Sequence, residues 1–400
     1  MSSKIAVAMS GGVDSSVVAK ILKDEGHDLV GLFLKLWHDD SSSCSVRKEN
    51  RCCNYEALED ARMVAAKLDI PFYVIDAKKE FKKEVVDYFL REYQNLRTPN
   101  PCIVCNETIK FDLLLKKALA IGCDELATGH YARIACHPHV DGDPLIVDSR
   151  LRGNDKCHLL KGIDETKDQS YMLYRLNQDQ LSKVSFPLGT KRKKDVRDLA
   201  IKWDLPVKEK PESQEICFFA DKDYRAFLRR YLDQSFFQSG DIVDANGKVI
   251  GKHDGLLNYT IGQRKLVNQE LGIMNNGKDK KPLYVVGFDK GKNRLLVGSD
   301  EEIYKKEMTV SDLRFIHDSL FITHNSGISV KIRYRHPDFP CKIMSSSGLT
   351  RGSKYDQDSC LRRNDIVKVL FDKPQRAVTP GQSAVFYSGE EVLGGGIIEA

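Results

Sequence analysis

Ser10-Gly11-Gly12-Val13-Asp14-Ser15-Ser16 is the stretch that decides the fold. It follows the apolar run Ile5-Ala-Val-Ala-Met9 and opens onto Val13–Glu25, whose apolar residues recur at helical spacing. A short buried strand, a glycine turn and a helix in that order mark the place where an α/β sheet presents its ligands. Gly11 and Gly12 lack Cβ, so their amides can come close to a phosphate. The helix N-terminus behind them adds free N–H groups and a partial positive charge, and Ser10, Ser15 and Ser16 add hydroxyl donors. Asp14 would repel a phosphate and fits better as a helix cap or a partner for Mg²⁺.

Outward from this loop, Leu29–Leu36, Phe72–Ile75 and Glu125–Thr128 read as strands. Tyr55–Leu68, Glu80–Tyr93 and Ile109–Ile121 read as helices. The alternation predicts an α/β layer on a parallel sheet, with helices as crossovers. The pattern changes after about residue 205, where Pro206 and Pro211 flank a charged connector. A short helix is expected at Tyr224–Tyr231 and a hairpin at Asn246-Gly247. Leu283–Val286, Arg294–Val297, Ile328–Tyr334, Val367–Phe371, Ala384–Tyr387 and Ile397–Glu399 are β-type runs, as in a small antiparallel barrel. Three domains follow, 1–210, 211–284 and 285–400. Asp148–Asp155 and Asp358–Asp365 are near copies in polar stretches, and the segments near 136–157 and 345–365 read as insertions into surface loops.

A chain of 400 residues with 41% hydrophobic and 30% charged residues is globular in composition. No apolar run reaches the roughly 18 residues of a membrane span, and no signal-peptide pattern stands at the start. Net charge is +5, which permits a polyanionic partner without requiring one. The run Lys191-Arg192-Lys193-Lys194 is a local candidate for gathered basic charge on nucleic acid, but its spacing favours a solvated turn ahead of a helix from Asp195. Eleven scattered cysteines are no disulfide framework, so reduced thiols in a cytoplasmic setting are expected.

Cys102-Ile-Val-Cys105 stands before a helix expected from about Thr108, a position that favours thiolates. A zinc half-site or inert packing would explain the same spacing, although no second ligand pair is suitably placed. Cys217, among apolar residues, reads on its own as core packing.

The loop lacks Gly-Lys-Ser/Thr and so is not a Walker loop. It matches the PP-loop signature Ser-Gly-Gly-x-Asp-Ser, whose family cleaves ATP between the α- and β-phosphates. The whole chain resembles the tRNA-specific 2-thiouridylases. The resemblance is carried by Ala8–Ser15, Gly31–Trp37, Thr98-Pro-Asn-Pro-Cys-Ile-Val-Cys-Asn106, Ile109-Lys-Phe111 and Thr128-Gly-His-Tyr-Ala-Arg133. It continues through Lys167–Leu173, Ser213-Gln-Glu-Ile-Cys-Phe218, Thr260–Lys265 and Thr379–Tyr387.

The resemblance implies a PP-loop domain over 1–210, a small central domain and a C-terminal antiparallel β-barrel. It implies that Ala8, Met9, Ser10, Gly11, Gly12, Val13, Asp14, Ser15, Leu34 and Gly129 contact ATP, taken with Mg²⁺. Asn100, Pro101 and Cys102 would meet the target base. His130, Lys167, Asp168, Gln169, Arg333, Tyr334 and Gln382 would touch tRNA. Cys105 matches the nucleophile and Cys217 the carrier of a persulfide, in place of the packing role its surroundings suggest. tRNA and a sulfur-donor protein are the implied partners, and no bound metal cluster or membrane is expected. Cys102 stands where many relatives carry an acid, and Leu266–Glu270 interrupt a glycine-rich turn of the family. An amide- or argininosuccinate-type ligase on the same loop, a nucleotide-gated RNA-binding protein and an iron–sulfur thiolase are the rival readings.

Overall fold

The computed structural model describes residues 2–37, 39, 55–137, 156–212, 216–218, 223–272, 282–317, 327–345 and 365–399. Cys44, Cys52, Cys53, Cys360, the first repeat copy and nearly all of the second lie outside them. So do Ser213, Gln214 and Glu215.

The first half carries β1 (Lys4–Ala8), β2 (Asp28–Lys35), β3 (Phe72–Asp76), β4 (Glu125–Ala127), β5 (Ala132–His137), β6 (Lys156–Lys161) and β7 (Val184–Ser185). Five of these form a parallel sheet in the order β3-β2-β1-β4-β7. The chain builds outward from β1 through β2 to β3, then crosses back to pair β4 on the other side of β1. That reversal opens a crevice at the C-terminal ends of β1 and β4. Alternate residues of the strands bury both faces. Ala6, Leu32 and Leu126 pack with Phe111, Leu114 and Tyr171 on one side. Ile5, Val7 and Phe33 pack with Val17 and Val18 of α1 (Val13–Asp24) and Ala61 and Val64 of α2 (Tyr55–Lys67) on the other.

The middle of the chain holds β8 (Gly240–Val243), β9 (Val249–His253), β10 (Tyr284–Asp289) and β11 (Arg294–Gly298), ordered β10-β11-β8-β9. Asn246-Gly247 does turn the β8–β9 hairpin, with Gly247 at φ 77°. The interrupting Leu266–Glu270 stretch is wound into the helix Lys265–Glu270.

The rest is β12 (Tyr304–Phe315), β13 (Ile328–Lys331), β14 (Phe339–Ser345), β15 (Val367–Arg376), β16 (Ser383–Ser388) and β17 (Glu391–Ile398). β12 pairs with both β15 and β17, which closes six antiparallel strands into a barrel. The run expected to be a strand to Tyr334 stops at Lys331 and turns, so Arg333 and Tyr334 project from the end of β13. The hairpin β5–β6 belongs to the first half of the chain but joins the barrel's sheet through β17, with Leu160 opposite Glu391. Val385, Tyr387 and Val392 accordingly share one core with Phe111, Tyr171 and Tyr174.

Cys136 and Cys157 face each other in that hairpin and are disulfide-bonded. This pair departs from the reading of the scattered cysteines as reduced thiols. The pairing depends on hairpin register, with Cα atoms 4.0 Å apart across a 21-residue separation. Among the described residues no helix is long and apolar enough to cross a membrane.

Candidate active site

The glycine turn lies at the crevice. Gly11 has φ 68°, and a Cβ there would sit 2.1 Å from the carbonyl oxygen of Ala57, so only glycine fits against α2. Ser15 Oγ accepts from the amide of Ser10 at 3.1 Å and donates to the carbonyl of Gly12 at 3.2 Å. Ser16 Oγ bonds that same carbonyl at 2.9 Å. These serines therefore hold the loop in shape. Gly129, just after β4, packs edge-on to the start of α1, where a Cβ would meet Asp14 Cβ at 3.1 Å.

Asp14 does not cap α1, since Gly12 occupies the cap position without a side-chain bond. Its oxygens instead take Lys193 Nζ at 2.6 and 2.7 Å and the Tyr131 hydroxyl at 2.8 Å. Lys193 is 9% exposed, which corrects the reading of the basic run as a solvated turn. The helix begins at Lys193, two residues before Asp195, and that turn carries its side chain inward. Glu212 adds a second anion, bonded to Lys167 at 2.6 Å and close to Lys193 and Arg197. Burial pushes its carboxyl up, but these three cations hold it below the usual range. Both carboxylates are thus paired with cations at the mouth of the loop.

Two adjoining cavities open at this loop. The inner one, about 340 Å³, is lined by Ala8, Met9, Ser10, Asp14, Ser15, Leu34 and Gly129 together with Cys102, Cys105 and Cys217. The outer one, about 830 Å³, is lined by Ser10, Gly11, Gly12, Val13 and Asp14 and by Asn100, Pro101, Cys102, His130, Lys167, Gln169, Arg333, Tyr334 and Gln382. Its described walls carry six cationic side chains, Lys110, Lys167, Lys193, Lys210, Arg333 and Arg335, against two anionic ones. Tyr93, Tyr131, Tyr224 and Tyr334 interleave with them. Cations alternating with aromatic faces suit a backbone of phosphates carrying exposed bases.

Asp168 lines neither cavity. It is buried and accepts from the amides of Gly162 and Ser170 and from Ser170 Oγ, so it shapes the loop that carries Lys167 and Gln169. The helix at the cysteines also starts earlier than expected. Asn100 caps it by accepting from the amide of Cys102 at 3.2 Å, Pro101 takes the first position, and helical winding continues to Ala120. Cys102 thus sits in the first turn, whereas Cys105 lies inside the helix and is buried. Gln382 Nε2 donates to the carbonyl of Thr98 at 2.7 Å and Asn106 Nδ2 to that of Met172 at 3.0 Å, which fixes this segment between the barrel and the sheet. His130 is buried, and burial with the charge of Lys110 lowers its pKa well below the ordinary value, so it is neutral at pH 7. Its Nδ1 is 2.7 Å from Thr128 Oγ1.

The reversal in the parallel sheet, the glycine loop at its switch point and the thiol-lined cavity behind it define an enzyme of the PP-loop class. A family model described as the tRNA methyl transferase HUP domain matches residues 3–221. Models for a tRNA methyl transferase PRC-barrel domain and an aminomethyltransferase beta-barrel domain match 225–299 and 305–398. The chain is 43% identical over 399 residues to the tRNA-specific 2-thiouridylase MnmA of Geobacter metallireducens, covering 99% of this chain and 97% of that one. It is 42% identical to the protein of that name in Carboxydothermus hydrogenoformans (99% and 97% covered) and 40% to the one in Clostridioides difficile (100% and 99%). The chain belongs to the tRNA-specific 2-thiouridylase family.

Proposed function

We propose that this chain replaces the C2 oxygen of the wobble uridine of tRNA with sulfur at the expense of ATP. The observation that carries the reading is the inner cavity, where Cys105 and Cys217 share walls with Ser10, Ser15 and Gly129. A ligase of amides needs no thiols beside its nucleotide loop, and an RNA-binding protein needs none either.

The glycine-loop residues Ala8–Ser15, with Leu34 and Gly129, would hold ATP, and the outer cleft would hold the anticodon arm, its uridine between Asn100, Pro101 and Cys102. Uracil O2 attacks the α-phosphorus, pyrophosphate leaves, and C2 now carries adenylate as its leaving group. The loop amides stabilise the charge that develops on the phosphates. Mg²⁺ would arrive with the nucleotide and offset charge on its phosphates. Cys217 holds the sulfur as a persulfide, loaded by a sulfur-donor protein in the cytoplasm. The Cys105 thiolate attacks the inner sulfur of that persulfide and forms the Cys105–Cys217 disulfide, releasing hydrosulfide. Hydrosulfide attacks C2, AMP departs, and the C=S bond closes with loss of a proton. A dithiol reductant supplies the two electrons that reopen the disulfide. The test is mass spectrometry of nucleosides from unmodified tRNA incubated with the enzyme, ATP, a persulfide donor that loads Cys217 and a dithiol reductant. 2-Thiouridine with one AMP per sulfur supports the reading. AMP without 2-thiouridine, or none of either, contradicts it.

A further inference from the structure

Away from both cavities, three side chains from distant parts of the chain converge. His158 is on β6, His317 follows β12, and Glu391 opens β17. Nδ1 of His158 is 2.7 Å and Nε2 of His317 is 3.4 Å from the same Glu391 oxygen, and the three ligand-type atoms all lie within 4.8 Å of one another. The imidazole centroids are 4.4 Å apart. His317 is 5% exposed, while the other two side chains retain partial access to solvent.

We propose that His158, His317 and Glu391 bind a divalent transition-metal ion of the zinc type. Two imidazoles and one carboxylate suit zinc, cobalt or nickel rather than the hard cations magnesium and calcium. Bonds of about 2.0–2.1 Å in a tetrahedron put donors roughly 3.3–3.5 Å apart. The His317–Glu391 separation already matches, and the His158–Glu391 pair needs to open by about 0.7 Å. The backbone beneath the two histidines is preset. The Gln178 side chain accepts from the amide of Cys157 at 2.8 Å and donates to the carbonyls of Cys157 and Ile316 at 2.8 and 2.9 Å. One amide thus clamps the residue before each histidine, the kind of outer support that orients metal ligands. It also stands 3.4 Å from His317 Nδ1, too far to fix where that ring's proton sits. Solvent fills the fourth position. Binding takes a proton from any imidazole that carries one on the ligating nitrogen. The ion would tie the β5–β6 hairpin to the barrel at residues 158, 317 and 391, beside the register that carries Leu160 opposite Glu391.

Cobalt(II) is the probe, added to the full chain after chelator treatment. A Cys105→Ala/Cys217→Ala variant runs in parallel to remove thiols that bind cobalt for other reasons. Both should take up one equivalent with visible ligand-field bands and no thiolate charge-transfer band belonging to that equivalent. His158→Gln/Glu391→Gln should lose it, or bind at least tenfold more weakly, with an unchanged far-ultraviolet spectrum. If that variant does not fold, ¹⁵N shifts of the ten histidine side chains in the wild type decide, with two expected to move on adding zinc. Equal uptake by wild type and the His158/Glu391 variant overturns the proposal. So does no uptake, thiolate absorption from all bound cobalt, or no histidine shift; the cluster is then a hydrogen-bonded ion pair only.

Discussion

Lys193 Nζ lies 2.6 and 2.7 Å from the two carboxylate oxygens of Asp14, joining the first turn of α1 to the helix Lys193–Lys202. The pair is partly buried and stands where the glycine loop meets the outer cleft. Removing the ammonium leaves a carboxylate facing the phosphates with its charge uncompensated. Lys193→Met should lower tRNA-dependent AMP formation at least about tenfold, and Asp14→Asn in the same chain should restore part of it. Lys194→Met, at an exposed position in the same basic run, should change the rate less than about twofold. Labelled AMP released from ATP is the readout.

The two loop glycines serve different ends. Gly11→Ala forces a Cβ into the Ala57 carbonyl at a positive φ and should reduce stability by about 2 kcal/mol or more. A Cβ on Gly12 meets nothing closer than Ser10 Oγ at 3.4 Å, so Gly12→Ala should fold with a near-native denaturation midpoint. It should nevertheless weaken ATP binding if, as proposed, the Gly12 amide is approached closely by a phosphate. Urea midpoints and equilibrium ATP binding on both variants separate the two effects.

His130 carries a pH signature. Its folded pKa is lowered, by burial first and by Lys110 second, so the unfolded chain binds a proton below about pH 6.5 that the folded chain does not. Stability from this residue is therefore full above pH 6.5 and declines as pH falls below it. Moving from pH 7.5 to 5.5 should therefore lower the stability through His130. His130→Gln should flatten the fall of the urea midpoint over that interval, whatever its effect at pH 7.5.

Cys102 lines both cavities, whereas Cys105 and Cys217 line only the inner one. It stands in the first turn of a helix, one turn before Cys105. In the proposed reaction it forms no bond to the transferred sulfur. Cys102→Ala should keep partial activity, within about tenfold of wild type, when 2-thiouridine is counted over a single turnover. Complete loss would assign it an obligatory role.

The nucleotide loop was legible because its meaning is local: a strand, a glycine turn and a helix in sequence. The Asn246-Gly247 hairpin and four of the six barrel strands were legible for the same reason, but Leu283–Val286 and Arg294–Val297, read as barrel strands, belong to the middle sheet with β8, and β12 and β14 went unread. What sequence reading missed is set by distant partners. β5 and β6 sit among first-domain elements in the chain, yet the sheet their hairpin joins is set by β17, more than 200 residues away. Lys193 looks like its neighbours in a basic run, and only the approach of α1 singles it out. Asp168 carries the polarity of a tRNA contact but is consumed by backbone amides. One miss was avoidable. Asn100-Pro101 has the composition of a helix cap and first turn, so the helix start at Pro101 rather than near Thr108 was open to reading.

The central claim concerns two sulfurs, and a single turnover tests it most directly. Enzyme loaded with labelled persulfide at Cys217 is mixed with ATP and unmodified tRNA without reductant, and labelled 2-thiouridine and protein disulfides are measured together. Wild type should give one thiouridine for each Cys105–Cys217 disulfide, Cys105→Ala should keep its label on Cys217, and Cys217→Ala should load none. Thiouridine formed by Cys105→Ala at the wild-type yield, or formed with both thiols still reduced, would contradict the account.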